Sequence, residues 1–412
     1  MSEENNIPKH WQIKKLSEVC EIIMGQSPPS TTYNLNGEGL PFFQGKAEFT
    51  ELYPVVEKWC NSPNKIALPN DILLSVRAPV GTTNIANQKC CIGRGLAAIR
   101  YENFKFVFYF LRSIEQELDK KGTGTTFRAI SGETIRTTEI LLPPLPEQQA
   151  IVFKIEELLS DLENGKQQLQ TAQQQLKIYR QSLLKWAFEG KLTNKNVKDG
   201  ELPKGWKLVT IIDIVENNKH SLKAGPFGSS LKKEFYVQDG YKIYGQEQVI
   251  SDDAFLGDYF INEEKYQELK SCKIKPFDIL ISLVGTVGKV LILPGNCKEG
   301  VINPRLIKIS LNKERYLHKF FKYYFESSYV KNLYGSKAQG TTMDVLNLGI
   351  IKTIPFPMPL LKEQQLIVDE LESKLTVCDK IEETISQSLL QAESLRQSIL
   401  KKAFEGKLVS YE

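Results

Sequence analysis

The sequence predicts a mixed α/β (α+β) chain: two similar globular domains separated by an antiparallel coiled coil of two long helices, with pseudo-two-fold symmetry. Three observations lead there. A segment recurs without insertion or loss at an offset of 216 residues, each copy carries a heptad pattern, and each is preceded by a β-rich stretch that itself repeats more loosely. The implied divisions are residues 1–146 and 193–362 for the globular domains, and 147–192 and 363–412 for the helical regions.

The repeat runs from Leu145 to Leu192 and again from Leu361 to Leu408, so that Glu147-Gln148-Gln149 answers Glu363-Gln364-Gln365. Both copies end in Ala-Phe-Glu-Gly-Lys-Leu. In the first, Ile155, Leu162, Leu169, Leu176 and Leu183 fall every seventh residue; in the second, Leu371, Cys378, Ile385, Ala392 and Ile399 do so. A companion stripe is expected three residues further on, at Ile151, Leu158, Ala172, Tyr179 and Trp186, and at Ile367, Ile381 and Leu395. Prolines precede each helix (Pro143, Pro144 and Pro146; Pro357 and Pro359), and Gly190 or Gly406 follows it. Gly165 lies inside the first helix at a cost of roughly 1 kcal/mol. Its counterpart is Ile381, so the helix is expected to run through it.

About 40 helical residues span roughly 60 Å. The second variable segment connects the end of one helix to the start of the next, which favours antiparallel pairing with a globular domain at each end.

The domains repeat with a drifting offset. Ile7-Pro8-Lys9-His10-Trp11 answers Leu202-Pro203-Lys204-Gly205-Trp206. The stretch from Asp71 to Gly81 answers Asp278 to Gly288, and Gly124-Thr125-Thr126 answers Gly340-Thr341-Thr342. Each domain reads as short strands bounded by Gly, Pro and Asn, then one helix, then a glycine-rich loop. Helical spacing is carried by Phe104, Val107, Leu111, Ile114 and Leu118, and by Leu317, Phe320, Phe321 and Tyr324.

Composition excludes several classes. A chain of 412 residues, 41% hydrophobic and 25% charged, is an ordinary globular one, and no apolar run approaches the roughly 20 residues that span a bilayer. The N-terminus has no signal-peptide pattern, and seven cysteines without a CxxC pair suit a reducing compartment, so a cytoplasmic location is expected. Cys90 and Cys91 are read as strand residues. The net charge of +4 divides as +1, 0, +7 and −4 over the four regions. A chain gripping many phosphates alone is usually more basic, so a partner is expected to share that task.

No catalytic or metal site is legible. Ser27-Pro28-Pro29-Ser30 approaches the (D/N/S)PP(aromatic) pattern of amino-methyltransferases, but Ser30 replaces the aromatic residue, and a turn is the better reading. Glu189-Gly190-Lys191 and Glu405-Gly406-Lys407 fit half of a metal-dependent nuclease pattern, but they stand where helix caps belong. His10, His220 and His318 have no metal or triad spacing. The polar loops suit base-edge and phosphate contacts better than catalysis. The candidates for DNA contact are Arg77, Arg94, Thr125, Thr126 and Arg128 in the first domain. In the second they are Lys289, Arg305, Lys337, Gln339, Thr341 and Thr342.

The order domain, EQQ-to-FEGKL helix, domain, EQQ-to-FEGKL helix resembles the specificity subunit of type I restriction-modification enzymes over the whole chain. Pro143-Pro144-Leu145-Pro146-Glu147-Gln148-Gln149 and Pro357-Met358-Pro359-Leu360-Leu361-Lys362-Glu363-Gln364-Gln365, each followed by AFEGKL, carry the resemblance. Lys362 stands where the first copy has Pro146, which affects only the helix start. The resemblance implies that the globular domains are target recognition domains, each reading one half of a bipartite asymmetric sequence in double-stranded DNA, with the helices setting the gap. It also implies two methyltransferase (modification) subunits docked along the helices, and restriction subunits in the full complex. Adenosylmethionine, ATP and Mg are then expected on the partners, with no cofactor on this non-catalytic chain. The rival reading is a coiled-coil scaffold holding two protein-binding heads that never touch DNA.

Overall fold

The computed structural model describes residues 8–124, 128–194, 196–198, 200–335 and 346–409. It divides into two units: residues 1–170 with 385–412, and residues 171–384. Each long helix therefore begins in one unit and ends in the other.

In the first unit, a four-stranded antiparallel sheet has the order Glu21–Met24, Leu96–Arg100, Ile72–Ser75, Thr83–Ile85. The central pair reads Leu-Ala-Ala-Ile against Ile-Leu-Leu-Ser and is buried on both faces, the pattern of strands covered from both sides. One face packs on the helix Phe104–Ser113, whose Phe106, Val107 and Leu111 are buried in the same cluster. The other face meets a second sheet in which Leu40–Phe43 runs parallel to Cys90–Ile92. Cys90 and Cys91 thus lie in a strand, and burial pushes their thiols up to about 12 and about 11. The helical stretch expected from Phe104 to Leu118 is broken at Ile114, and a second short helix covers Glu115–Lys120.

The second unit repeats this plan. Leu222–Ala224, Leu306–Ile309, Ile279–Ser282 and Val290–Ile292 form the equivalent antiparallel sheet, in the same order. The helix His318–Phe325 covers it, with Phe320, Phe321, Tyr324 and Phe325 buried. The extra residues of this unit include two helices, Gln246–Ser251 and Glu263–Glu268, that periodicity did not suggest.

The long helices are Leu145–Phe188 and Leu361–Phe404, 44 residues each and in register with the repeat. Pro146 and Lys362 therefore make no difference to where the helices start, as expected of a proline in the first turn. The first helix continues through Gly165, where an added Cβ would meet nothing within 4 Å.

Pairing is antiparallel. In the second unit, Arg180 donates to Asp379 and Glu382 at 2.6 and 3.0 Å, while Asn194, beyond the helix end, donates to Glu363 at 2.9 Å. In the first unit, Ile151 and Ile155 share a core cluster with Leu400, Ala403 and Phe404, whose ring meets Phe106 and Phe110 edge-on.

Along the predicted seam, Ile155, Leu176, Leu183, Leu371, Cys378, Ile385, Ala392 and Ile399 are buried, while Leu162 and Leu169 are half-buried. The companion stripe holds at Ile151 and Ile367, which are buried, and in part at Leu158 and Ala172, which are half-buried; elsewhere it is corrected. Tyr179, Trp186, Ile381 and Leu395 are 41 to 51% exposed. The inward positions stand four residues on: Val152, Leu159, Lys166, Gln173, Arg180 and Ala187 on the first helix, and Val368, Leu375, Glu382, Leu389, Arg396 and Ala403 on the second. Arg180 is tolerated there because two carboxylates meet its guanidinium.

Candidate nucleic-acid interface

In each unit, five segments distant in sequence are drawn together at one end of the main sheet by main-chain hydrogen bonds. In the first unit, Gly25 N–H donates to Leu96 O, Gly93 N–H to Phe43 O, Val76 N–H to Gly95 O, and Ile130 N–H to Val76 O, all at 2.8 to 3.0 Å. In the second, Gly225 N–H donates to Leu306 O, Asn303 N–H to Tyr244 O, Leu283 N–H to Arg305 O, and Leu346 N–H to Leu283 O, at 2.8 to 3.2 Å. The pattern is the same although most of the side chains differ.

Glycine is required where the loops touch most closely. A Cβ on Gly25 would lie 2.2 Å from Gly93 O, and one on Gly225 would lie 1.8 Å from Asn303 O. The loop after Leu40–Phe43, and its counterpart after Tyr241–Tyr244, is braced from within. The Glu48 carboxylate accepts from Gly45 N–H at 3.2 Å, and in the second unit the Gln248 carbonyl accepts from Gly245 N–H at 2.7 Å. Gln246 also donates to Val284 O on the neighbouring loop.

Arg77, Arg94, Arg128, Lys289 and Arg305 are exposed and lie on or beside these loops. Arg94 sits on the Gly93-to-Gly95 turn, its main-chain N–H donating to Ser27 Oγ at 3.1 Å. Arg305 occupies the equivalent turn of the second unit, one position later. Arg77 and Arg128 are brought side by side, since Ala78 N–H donates to Arg128 O at 2.9 Å and Arg77 bridges Ala129. The Arg128 guanidinium is already paired with Asp119 at 3.1 Å. Lys289 follows the loop of its unit, where Ser282 N–H donates to Lys289 O. Thr125, Thr126, Lys337, Gln339, Thr341 and Thr342 fall outside the described residues.

The loop clusters also expose polar residues that composition gave no reason to single out: Gln26, Gln44 and Lys46 in the first unit and Glu247 in the second. Ser27-Pro28-Pro29 is irregular chain leading into a 3-10 turn at Ser30–Thr32, and the Pro28 carbonyl accepts from the Tyr33 hydroxyl at 2.8 Å. Two buried carboxylates, Asp71 and Asp278, lie at the other end of the sheet. Asp71 takes a two-pronged bond from Arg100, at 2.8 Å on each oxygen. Asp278 accepts from Ser310 and lies 3.9 Å from Lys308; burial raises the Asp278 pKa and lowers that of Lys308. These pairs brace strand starts, and their further bonds hold the main chain leading into those strands: Leu68 N–H donates to Asp71, Lys275 N–H to Asp278, and Lys308 Nζ to Lys273 O. Among the described residues, no group of three or more His, Cys, Asp or Glu side chains could hold a metal ion, and no helix is long and apolar enough to cross a membrane.

The type I restriction modification DNA specificity domain matches twice, over residues 8–171 and 203–391. The chain belongs to that family. The MjaX specificity subunit of Methanocaldococcus jannaschii is 44% identical over 185 residues, which span 42% of this chain and 43% of that relative. The EcoBI specificity subunit of Escherichia coli is 23% identical over 421 residues, covering 98% of this chain and 88% of that one. Among solved structures, the HsdS subunit of Thermoanaerobacter tengcongensis matches with a TM-score of 0.64, 19% identity and coverage of 97 and 98%. A chain from a structural study of type I R-M complex assembly and conformational transition gives 0.71, at 20% identity and coverage of 98 and 99%. The two matched segments each contain one loop cluster, so each DNA specificity domain of this chain carries one converging set of loops at the end of its main sheet.

The motifs that mark the family work as fasteners. Glu147 is buried and accepts from His10 Nε2 at 2.8 Å and Trp11 Nε1 at 2.9 Å. Gln148 donates to Pro143 O, and Gln364 donates to Pro359 O and Arg315 O while accepting from Leu317 N–H. The first two residues of EQQ therefore tie the start of each long helix to its own domain. The Glu-Gly-Lys segments are helix ends with Gly190 and Gly406 in the left-handed region, as a cap requires.

Proposed function

We propose that this chain is the DNA-reading subunit of a type I restriction-modification complex, in which each loop cluster reads one half of a bipartite, asymmetric site. The observation that carries this reading is the recurrence of one main-chain loop framework with differing side chains on it. A fixed frame with Arg77, Arg94 and Arg128 on one copy and Lys289 and Arg305 on the other suits two different base sequences read in the same way. Two methyltransferase subunits dock on the long helices, whose repeat offers two equivalent surfaces, and restriction subunits join them. The chain itself performs no catalysis. Adenosylmethionine, ATP and Mg belong to the partners, and the complex works in the cytoplasm. The modest net charge of +4 fits a partner that shares the phosphate grip.

Methylation mapping of DNA from cells carrying this chain with its methyltransferase tests the proposal. The expected result is a single bipartite motif, of which exchange of residues 1–146 for another such domain changes one half only. Change in both halves overturns the modular reading. No sequence-dependent retention of duplex DNA under any partner condition favours a scaffold that binds only proteins.

A further inference from the structure

Phe227 is 88% exposed, the most exposed large apolar side chain among the described residues, and it stands in the loop cluster of the second unit. Its position is built from both sides. The strand Leu222–Ala224 anchors the chain before it, and Gly225 is pressed against the Asn303 carbonyl on the turn that carries Arg305. Pro226 then fixes φ on the approach, Ser230 N–H donates to Phe227 O at 2.8 Å, and buried Leu231 pins the far side. An aromatic ring held in water by a proline, a turn and a tightly packed glycine is presented, not merely left over.

We propose that Phe227 is an aromatic wedge that enters a base step of the half-site read by the second domain, a step further than the DNA-reading function on which it rests. Duplex-bending and minor-groove proteins open a base step by inserting an apolar side chain, and cations beside the ring hold the flanking phosphates. Exposed Lys233, on the same loop, supplies such a cation and leaves Arg305 on the adjoining turn to a base edge. The device is one-sided. At the equivalent place the first unit has Ser27, whose hydroxyl is used to hold the Arg94 turn, and its Tyr33 is stacked on Phe42 at 4.6 Å instead of facing outward. The loop from Gly225 to Tyr236 is also three residues longer than that from Gly25 to Tyr33. Only one half-site is therefore unstacked.

The test uses the full chain in complex with its methyltransferase, bound to a duplex carrying the mapped site. 2-Aminopurine is placed in turn at each position other than the methylated adenine. The wild-type complex brightens the reporter at one step of the half-site assigned to residues 203–391. Phe227→Ala removes that signal and weakens binding about tenfold, the usual scale for losing one aromatic stack on a base, while Phe227→Trp keeps both. Because the ring is exposed, the melting temperature of the alanine variant stays unchanged. A signal retained by Phe227→Ala, or a brightened step only in the other half-site, overturns the wedge. If the wild-type complex does not retain the mapped site, the DNA-reading function falls and the wedge falls with it.

Discussion

Trp11 donates its indole N–H to the Glu147 carboxylate at 2.9 Å, and the repeat does not reproduce the bond. Trp206 Nε1 is buried with no hydrogen-bond partner, and Glu363 instead accepts from Asn194 and Thr193. A buried carboxylate with two donors is worth more than a half-exposed one, because its removal leaves buried donors unpaired. Glu147→Ala is expected to destabilise the first unit by about 3 kcal/mol and Glu363→Ala the second by about 1 kcal/mol. Denaturant unfolding followed by hydrogen exchange, which assigns the loss to a unit, checks both values. Equal effects would contradict the asymmetry.

The ends of the long helices are closed against the start of a domain. Gly406 has φ +70° and a Cβ there would lie 2.5 Å from the Pro8 ring; Gly190 has φ +75° and its Cβ would lie 2.1 Å from Pro203 Cγ. Gly406→Ala and Gly190→Ala are each expected to cost about 2 kcal/mol, combining left-handed strain with the clash. Gly165→Ala, with open space around it, is expected to stabilise by about 0.5–1 kcal/mol. Melting temperatures moving in opposite directions for these variants are the readout.

The long helices were legible because two independent periodicities, the heptad and the 216-residue offset, agreed on them. The companion stripe was legible only at Ile151 and Ile367 near the helix starts; further along, apolarity alone ranks Tyr179 and Trp186 above Gln173 and Arg180 as core residues. The pairing of helices places Arg180 inward, where Asp379 and Glu382 meet it. The loop clusters were legible only in part. Arg77, Arg94 and Arg305 could be named as cations in polar loops, but their meeting place is made by main-chain bonds between segments far apart in sequence, such as Val76 to Gly95. Phe227 gave no signal, since a lone aromatic residue in a sequence reads as core until its exposure is known. The helix Gln246–Ser251 was hidden because it is short and starts at a glycine.

His318 opens the helix His318–Phe325 with its ring 6.3 Å from that of Phe277. Burial holds its pKa below the ordinary 6.5, and nearby Lys275 adds to the effect while Glu216 opposes it. The unfolded chain therefore binds a proton more readily than the folded one. Stability contributed by neutral His318 is present above about pH 6.5 and is lost as the pH falls below that value. Unfolding midpoints measured from pH 7.5 to 5 should fall for the wild type, and Phe or Gln at position 318 should flatten the part of that fall arising in the second unit. An unchanged profile in both variants would assign the loss elsewhere.

Arg94 and Arg305 occupy equivalent turns in the two units, and each has its main-chain N–H fixed by a side-chain oxygen, Ser27 Oγ for one and Asn303 Oδ1 for the other. With their backbones held, the guanidinium groups are free to read a base edge, and a bidentate contact to guanine is worth about 1–3 kcal/mol in discrimination. Arg94→Ala is thus expected to relax specificity within one half-site and Arg305→Ala within the other, each leaving the opposite half intact. Arg128, already paired with Asp119, is expected to lose less on replacement, with a uniform weakening across sequences and a shallower salt dependence, as for a phosphate contact. Binding of the methyltransferase complex to a panel of single-base variants at two salt concentrations separates these outcomes. A loss spread evenly over both halves for Arg94→Ala would mean that its turn grips the backbone and reads no base.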